Sequence, residues 1–174
     1  MTPDITFIGW HNSGKTTVLR AVVKELCRRG LRVGVMKNTK HTGIDLDSKR
    51  ADTSLLMEAG AVSAGLVTPD GPIFLCKDRQ KIKKGTGNSS RGEVDIVLGE
   101  GFKHDASIPK IEVARKDLQM EGLLKDRLAG VVAIITDMDV TGVRVFRFSQ
   151  TEQLCDFIQD LLKKDKTKCD NCVT

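Results

Sequence analysis

Short apolar runs alternate with helical patterns along most of the chain. The runs are rich in Val, Ile and Leu and predict strands at 5–8, 31–37, 61–68, 72–76, 94–98, 110–114, 131–136 and 143–148. Apolar residues spaced three and four apart predict helices at 17–26, 49–59, 117–128 and 151–163. This alternation predicts an α/β fold with a mostly parallel central sheet flanked by helices, in which ligands bind at the carboxyl ends of the strands.

Two segments interrupt the alternation. Pro69-Asp70-Gly71 is a turn signal between two predicted strands, so it predicts a β-hairpin extension of the sheet. The stretch 77–93 carries six Lys or Arg residues together with several glycines and serines. We interpret it as a mobile surface loop with at most one helical turn. With 174 residues, we expect a single domain over 1–164 and a flexible, cysteine-containing tail over 165–174.

The loop after the first predicted strand carries the strongest functional motif. Residues 9–16 read G-x-x-x-x-G-K-T, the pattern of a phosphate-binding loop, and they lie between a strand and a helix as that loop requires. Its glycines let backbone N–H groups point at phosphate oxygens, and the helix N-terminus adds partial positive charge. Lys15 is expected to reach the β- and γ-phosphates, and the Thr16 hydroxyl to bind Mg²⁺. A glycine-rich turn that matches by chance is the alternative. The predicted phosphate-site residues are Gly9, His11, Asn12, Ser13, Gly14, Lys15, Thr16 and Thr17.

A phosphate-binding loop also needs an acidic partner for the metal, commonly at the end of a neighbouring apolar strand. Glu100 follows the predicted strand 94–98 and fits this description, whereas Asp95 lies at the wrong end of the same strand. Gly99 and Gly101 flank Glu100 and permit a ligand to approach the backbone closely. We interpret Glu100 as a metal-side carboxylate, with an ordinary surface residue as the alternative.

The polar stretch 38–48, after the second predicted strand, is a candidate sensor of the γ-phosphate. Lys37 precedes it, and it contains His41 and Asp47. Asp47 is a candidate for binding Mg²⁺ through water or for positioning an attacking water, and the alternative is a cap on the next helix. His41 is a candidate base or phosphate donor, and the alternative is an exposed imidazole.

Another predicted strand ends in a carboxylate at Asp137. An aspartate here is able to accept hydrogen bonds from N1–H and the exocyclic amine of guanine, a donor pair that adenine lacks. Asp137 therefore predicts a preference for a guanine nucleotide. The motif is short, and a turn residue within 136–139 is an equally good interpretation.

Composition excludes several classes of protein. Hydrophobic residues make up 40% and charged residues 29%, as in ordinary globular domains. The net charge is +5, but no aromatic residues are interleaved with the basic ones, so nucleic-acid binding is unlikely. No apolar run approaches membrane-spanning length, and the first four residues lack the features of a signal peptide. We therefore expect a cytoplasmic protein with reduced cysteines, of which Cys27, Cys76 and Cys155 lie in apolar segments typical of a core.

The tail contains a C-x-x-C pair, Cys169 and Cys172. One such pair is half of a tetrahedral metal site or a redox pair, and the sequence offers no second pair. A disordered tail is the simpler interpretation. A dimer that brings two pairs together is the alternative.

Taken together, these motifs resemble the MobB family of molybdopterin-guanine dinucleotide biosynthesis adaptor proteins. The resemblance extends from residue 5 to about residue 162. It rests on the phosphate-binding loop, Lys37-x-Thr39-x-His41, Asp47 with Asp52, Ala59-Gly60-Ala61, the hexapeptide 99–104, and the segments 111–115 and 135–137. The chain departs from the family at 77–93, where family members have a longer and more helical segment. It also departs at Lys40, where a second histidine is common, and in its cysteine tail.

The resemblance implies a dimeric, GTP-binding protein with a three-layer P-loop fold. Such a protein assists a guanylyltransferase that attaches GMP to the pterin phosphate of the molybdenum cofactor, and it is at most a slow GTPase. By position, Lys15, Asp47 and Glu100 are the catalytic candidates, and Thr16, Asp47 and Glu100 the metal ligands. Gly101, Lys103 and His104 are expected to face a ligand, the molybdopterin or the partner enzyme.

Two other functions stay open on the sequence. A small-molecule kinase uses the same fold but needs an arginine-bearing lid, for which 79–91 is a poor candidate. A metallochaperone would combine the phosphate-binding loop with the C-x-x-C tail. Bound nickel, zinc or iron would favour this third function.

Overall fold

The computed structural model describes residues 2–40, 42, 52–76 and 94–170. The predictions made for His41, Asp47, Cys172 and the stretch 77–93 lie outside these residues. The strands are β1 (Ile5–Ile8), β2 (Val33–Asn38), β3 (Ser63–Thr68), β4 (Gly71–Cys76), β5 (Ile96–Glu100), β6 (Lys110–Val113), β7 (Val131–Ile135) and β8 (Arg144–Phe146). The α-helices are α1 (Lys15–Arg28), α2 (Asp52–Glu58) and α3 (Thr151–Asp170), and two 3₁₀-helices span Lys116–Glu121 and Leu124–Asp126.

The eight strands form one sheet in the order β4-β3-β2-β5-β1-β6-β7-β8. All neighbours are parallel except β3 and β4, which pair antiparallel with Thr68 opposite Gly71. The predicted α/β class, the mostly parallel sheet and the hairpin extension are confirmed. Strand β1 lies between β5 and β6, so the loop that follows it opens at the middle of the sheet's carboxyl edge.

One face of the sheet carries the main hydrophobic core. Alternate residues of the parallel strands, such as Ile5, Phe7 and Ile111, pack there against apolar residues of α1, α2 and α3. Cys155 is fully buried in this core, as predicted, and Cys27 packs against it. On the opposite face, two smaller clusters form around Met36 and Ile134.

The segment 117–128 differs from its prediction, because it forms two 3₁₀-helices and not one α-helix. Gly122 lies between them with φ of 72°, and its carbonyl accepts a hydrogen bond from Trp10 Nε1 at 2.8 Å. The backbone N–H groups of Leu124 and Lys125 donate to the buried Glu112 carboxylate at 2.7 and 2.8 Å. These N–H groups are therefore not available to a continuous helical ladder. Burial raises the pKa of Glu112 above its usual value, against the opposing effect of the two N–H donors.

One further difference concerns the end of the last helix. The last helix continues to Asp170, beyond the predicted end at residue 163, so it includes part of the predicted flexible tail. In the described part of the chain, no helix has the length and apolar character that a membrane span requires.

Candidate nucleotide-binding site

The loop between β1 and α1 is held in a conformation that requires glycine. A Cβ atom on Gly9 would lie 2.3 Å from the Val113 carbonyl oxygen and 2.6 Å from Ser13 Oγ. Gly14 caps α1 with φ of 92°, and Asn12 has φ of 61°. The left-handed turns curl the backbone around the start of α1, where the helix presents free N–H groups. This is the geometry of an anion-binding loop.

The Lys15 ammonium lies across the mouth of this loop. It donates to the Trp10 carbonyl at 2.7 Å and to the Gly9 carbonyl at 3.2 Å. Burial lowers the pKa of Lys15, and the nearby Glu100 carboxylate opposes this shift while Lys37 and Lys103 add to it. Phosphate oxygens at the loop would replace the two carbonyl acceptors with charge-assisted ones, which are stronger.

Glu100 ends β5 next to the start of α1. Its two carboxylate oxygens lie 3.3 and 3.1 Å from Thr16 Oγ1, which donates to them. In the sheet it lies opposite Lys37 of β2, and the Lys37 ammonium is 3.5 Å from the same carboxylate. The side chain of Glu100 is only 7% exposed. The structure thus brings together three predicted site residues from three separate elements.

These residues fit a magnesium ion. Mg²⁺ prefers oxygen ligands and is usually bound by one or two protein groups, with phosphates and waters completing its shell. The Thr16 hydroxyl and the Glu100 carboxylate supply that kind of oxygen, already within hydrogen-bond distance of each other. Within the described ranges there is no cluster of three or more His, Cys, Asp or Glu side chains suited to a metal.

A polar cavity of about 410 Å³ lies at the N-terminal end of α1. That volume lies in the usual range for ligand sites. It is lined by His11, Asn12, Gly14, Lys15, Thr16, Thr17, Lys37 and Glu100. Ser13, in contrast, is buried inside the loop, and its hydroxyl is the only buried side-chain polar atom in the described residues that has no hydrogen-bond partner. Such an unpaired group is typical of functional sites.

A second cavity of about 350 Å³ shares Gly9 and Lys15 with the first. Its wall is the segment 101–105, in which Gly101 and Phe102 both have positive φ, of 94° and 51°. A positive φ is strained for phenylalanine and is seen mostly at functional sites. Its basic lining residues are Lys15, Lys40, Lys103 and His104, and Ile8 and Phe102 add apolar surface.

Asp137 lies at a different part of the carboxyl edge. It follows β7, is exposed, and its Oδ1 accepts a hydrogen bond from the Lys116 backbone N–H at 2.9 Å. It does not line either of the two cavities. Cys169 lies in the last turn of α3, and its C-x-x-C partner is outside the described residues.

Sequence reasoning did not assign a role to Arg115, which contacts the loop from β6. Its Nε donates to the Ser13 carbonyl at 3.3 Å, and its guanidinium lies 4.2 Å from the centre of the Phe148 ring. The available signal was its position, because Arg115 follows the end of a parallel strand, β6, as Asp137 follows β7.

Comparisons with protein families and with individual relatives point to the same family. The family described as MobB, molybdopterin guanine dinucleotide synthesis protein B, matches residues 5–137. The molybdopterin-guanine dinucleotide biosynthesis adapter protein of Escherichia coli K12 is 29% identical over 171 residues, which cover 94% of this chain and 95% of that protein. The adapter protein of Haemophilus influenzae is 28% identical over 163 residues, covering 92% and 89%.

Solved structures agree at the level of the fold. A crystal structure of molybdopterin-guanine biosynthesis protein B superposes with a TM-score of 0.55 at 24% identity, covering 91% of this chain and 98% of that one. The MobB homologue of Bacillus stearothermophilus gives a TM-score of 0.54 at 20% identity, covering 91% and 97%. The α/β fold is therefore shared with these proteins.

Proposed function

Because the chain belongs to the family of molybdopterin guanine dinucleotide synthesis protein B, we propose that it is a GTP-binding adaptor in the biosynthesis of molybdopterin guanine dinucleotide. The observation that carries the proposal is the contact of Thr16 with Glu100, beside Lys37. This contact lies at the mouth of a loop that requires glycine at position 9. This arrangement provides N–H donors, two ammonium groups and a metal-side carboxylate around one polar cavity. Those are the groups that a magnesium–nucleotide complex requires.

Each residue has a defined task in binding the triphosphate. The loop backbone and the start of α1 bind phosphate oxygens, and Lys15 transfers its hydrogen bonds from loop carbonyls to the phosphates. Thr16 and Glu100 hold Mg²⁺, which neutralises phosphate charge when bound. Lys37 pairs with the Glu100 carboxylate at 3.5 Å and adds positive charge beside the γ-phosphate. Asp47, which lies outside the described residues, stays a proposed water-positioning group for a slow hydrolysis.

Asp137 is proposed to select guanine. Its Oδ1 is oriented by the Lys116 backbone N–H, and its exposed position allows the carboxylate to accept hydrogen bonds from the base. Adenine lacks this donor pair and cannot make the same two hydrogen bonds with the carboxylate. The proposed ligand is therefore GTP and not ATP.

The second cavity is proposed to bind the molybdopterin. Lys103 provides positive charge and His104 an imidazole hydrogen-bonding group for its phosphate, and Phe102 and Ile8 provide apolar surface for its ring system. Because Lys15 lines both cavities, a pterin phosphate bound here would lie beside the nucleotide's phosphates. The adaptor would then present both substrates to a molybdenum cofactor guanylyltransferase. We further propose that it acts as a cytoplasmic homodimer, as the family resemblance implies.

The test is a calorimetric titration of the purified protein with GTP, ATP and molybdopterin, each with and without Mg²⁺. We expect GTP to bind more tightly than ATP, and Mg²⁺ to strengthen the binding of GTP. Asp137→Asn should bring the affinities for GTP and ATP closer together, because an amide cannot accept both guanine donors. Equal affinity for the two nucleotides in the unmodified protein would refute the base assignment, and an unaltered ratio in the variant would remove Asp137 from the site.

A further inference from the structure

Arg115 contacts the phosphate-binding loop from the side opposite the predicted metal site. It follows β6, which flanks β1 on one side, whereas Glu100 ends β5 on the other side. Its Nε donates to the Ser13 carbonyl at 3.3 Å. A Cβ atom on Gly14 would lie 3.4 Å from its Nη2. The guanidinium therefore lies directly against the start of α1.

An aromatic ring lies against this guanidinium. Its Cζ lies 4.2 Å from the ring centroid of Phe148, a residue that follows β8 and packs against the main core. Both side chains are partly buried. A planar guanidinium held beside an aromatic ring is a group on which a further planar ring can stack.

The sheet order fixes the direction in which a nucleotide must lie on the loop. Glu100 and Lys37, which would be near the metal and the γ-phosphate, belong to β5 and β2 on one side of β1. The nucleoside end must therefore extend over α1 toward β6, β7 and β8. Arg115, Asp137 and Phe148 follow those three strands in turn. Asp137 is tied to the neighbour of Arg115 through the Lys116 N–H.

We propose that Arg115, supported by Phe148, is the platform on which the nucleobase stacks, with Asp137 at the edge of the base. The proposal rests on the proposed binding of GTP and adds to it the residue that holds the base. Nucleobases stack on arginine planes and on aromatic rings in many nucleotide-binding sites. Stacking of this kind changes affinity by roughly 10- to 100-fold per base.

The experiment compares two ligands that differ only in the presence of a nucleoside. GTP and inorganic tripolyphosphate, each with Mg²⁺, are titrated calorimetrically into the unmodified protein and into the variants Arg115→Ala, Arg115→Lys and Phe148→Ala. Arg144→Ala is the matched control, because Arg144 also lies over a phenylalanine, Phe146, at 5.6 Å, but on the exposed surface. Thermal melting reports whether each variant is folded.

We expect Arg115→Ala to lose roughly 10- to 100-fold more affinity for GTP than for tripolyphosphate, because the same side chain also contacts the phosphate-binding loop. Arg115→Lys keeps the charge but not the plane, so it should lose GTP affinity similarly, and it serves as the test if the alanine variant does not fold. Phe148→Ala should lose part of the GTP affinity and none of the tripolyphosphate affinity. Arg144→Ala should bind both ligands normally.

An equal loss for GTP and tripolyphosphate would overturn the proposal in favour of a phosphate contact. Full GTP affinity in Arg115→Lys would also overturn it, because charge alone would then suffice. An unmodified protein that binds tripolyphosphate but shows no additional affinity for GTP would refute the platform and leave the phosphate site standing. Failure of the unmodified protein to bind either ligand would overturn the proposed function itself, together with this inference.

Discussion

Glu100→Gln is predicted to weaken GTP binding only when Mg²⁺ is present. Glu100 is buried, and its carboxylate oxygens lie 3.1 and 3.3 Å from the Thr16 hydroxyl. Among the described residues it is the only carboxylate that lines the cavity. Glutamine keeps the size of the side chain and one oxygen acceptor but removes the negative charge that attracts the ion.

The magnitude follows from the place of this carboxylate in a magnesium site. Removal of a carboxylate that binds or orients metal ligands typically costs about 10- to 100-fold in metal affinity. With Mg²⁺ present, Glu100→Gln is therefore expected to weaken the binding free energy of GTP by about 1.4–2.8 kcal/mol. Without Mg²⁺ the effect has the opposite sign, because the carboxylate repels the phosphates and neutralises Lys37, whose ammonium is 3.5 Å away. GTP affinity in EDTA should then be equal or higher.

The assay is calorimetric titration of GTP into both proteins, once with saturating Mg²⁺ and once with EDTA. Asp160→Asn is the control, because it removes the same charge from an exposed residue of α3, where Asp160 pairs with Lys163 at 3.5 Å. It should bind GTP normally in both conditions. A Glu100→Gln variant that loses the same factor with Mg²⁺ and with EDTA would refute the reasoning, because the carboxylate would then not act through the metal.

Two further predictions concern the loop and the pH dependence of stability. Gly9→Ala should cost about 1–3 kcal/mol in urea denaturation and weaken GTP binding, because the new Cβ would lie 2.3 Å from the Val113 carbonyl; normal stability and affinity would contradict this. Hydrogen bonds from Arg28 and Arg29 lower the pKa of Glu25 from 4.5 to about 2. The stabilisation by ionised Glu25 is therefore present above pH 4.5 and is lost as the pH falls toward 2. Glu25→Gln should be less stable than the unmodified protein at pH 7 and equally stable near pH 2, and a difference independent of pH would contradict the assignment.

The pattern of apolar residues predicted most of the fold because the strands are buried on both faces. Ile5, Phe7 and Ile8 of β1 are at most 1% exposed, as are Ile134 and Ile135 of β7, so their sequences read as continuous apolar runs. The hairpin was predictable from the chemistry of its turn alone. The order of the strands was not predictable, because it depends on which strand edges pair. The spacing of apolar residues along the chain does not encode that pairing.

The prediction of one α-helix at 117–128 failed because of tertiary contacts. The spacing of its leucines is helical, but Gly122 and the carboxylate of Glu112 intervene. Tertiary hydrogen bonds from residues distant in sequence thus override the local pattern. Single-sequence reasoning does not include such partners.

In the site, sequence reasoning found the residues that belong to a motif or end an apolar strand with a carboxylate. Lys15, Thr16 and Glu100 are of that kind. Arg115 was not predicted as a site residue, because its contacts with Ser13 and Phe148 join elements that are distant in the chain. The pairing of Lys37 with Glu100 depends likewise on the parallel register of β2 and β5.

The most direct test of a triphosphate at the loop is the affinity of Lys15→Ala for GTP. Within the described residues, the Lys15 ammonium donates to the loop carbonyls of Gly9 and Trp10, and Lys15 is not a member of the main core. We predict an unchanged melting temperature and a loss of about 1.5–3 kcal/mol of GTP binding with Mg²⁺, the range for a hydrogen-bonded charge. A folded variant that binds GTP as tightly as the unmodified protein would contradict the account, because the nucleotide's phosphates would then lie elsewhere.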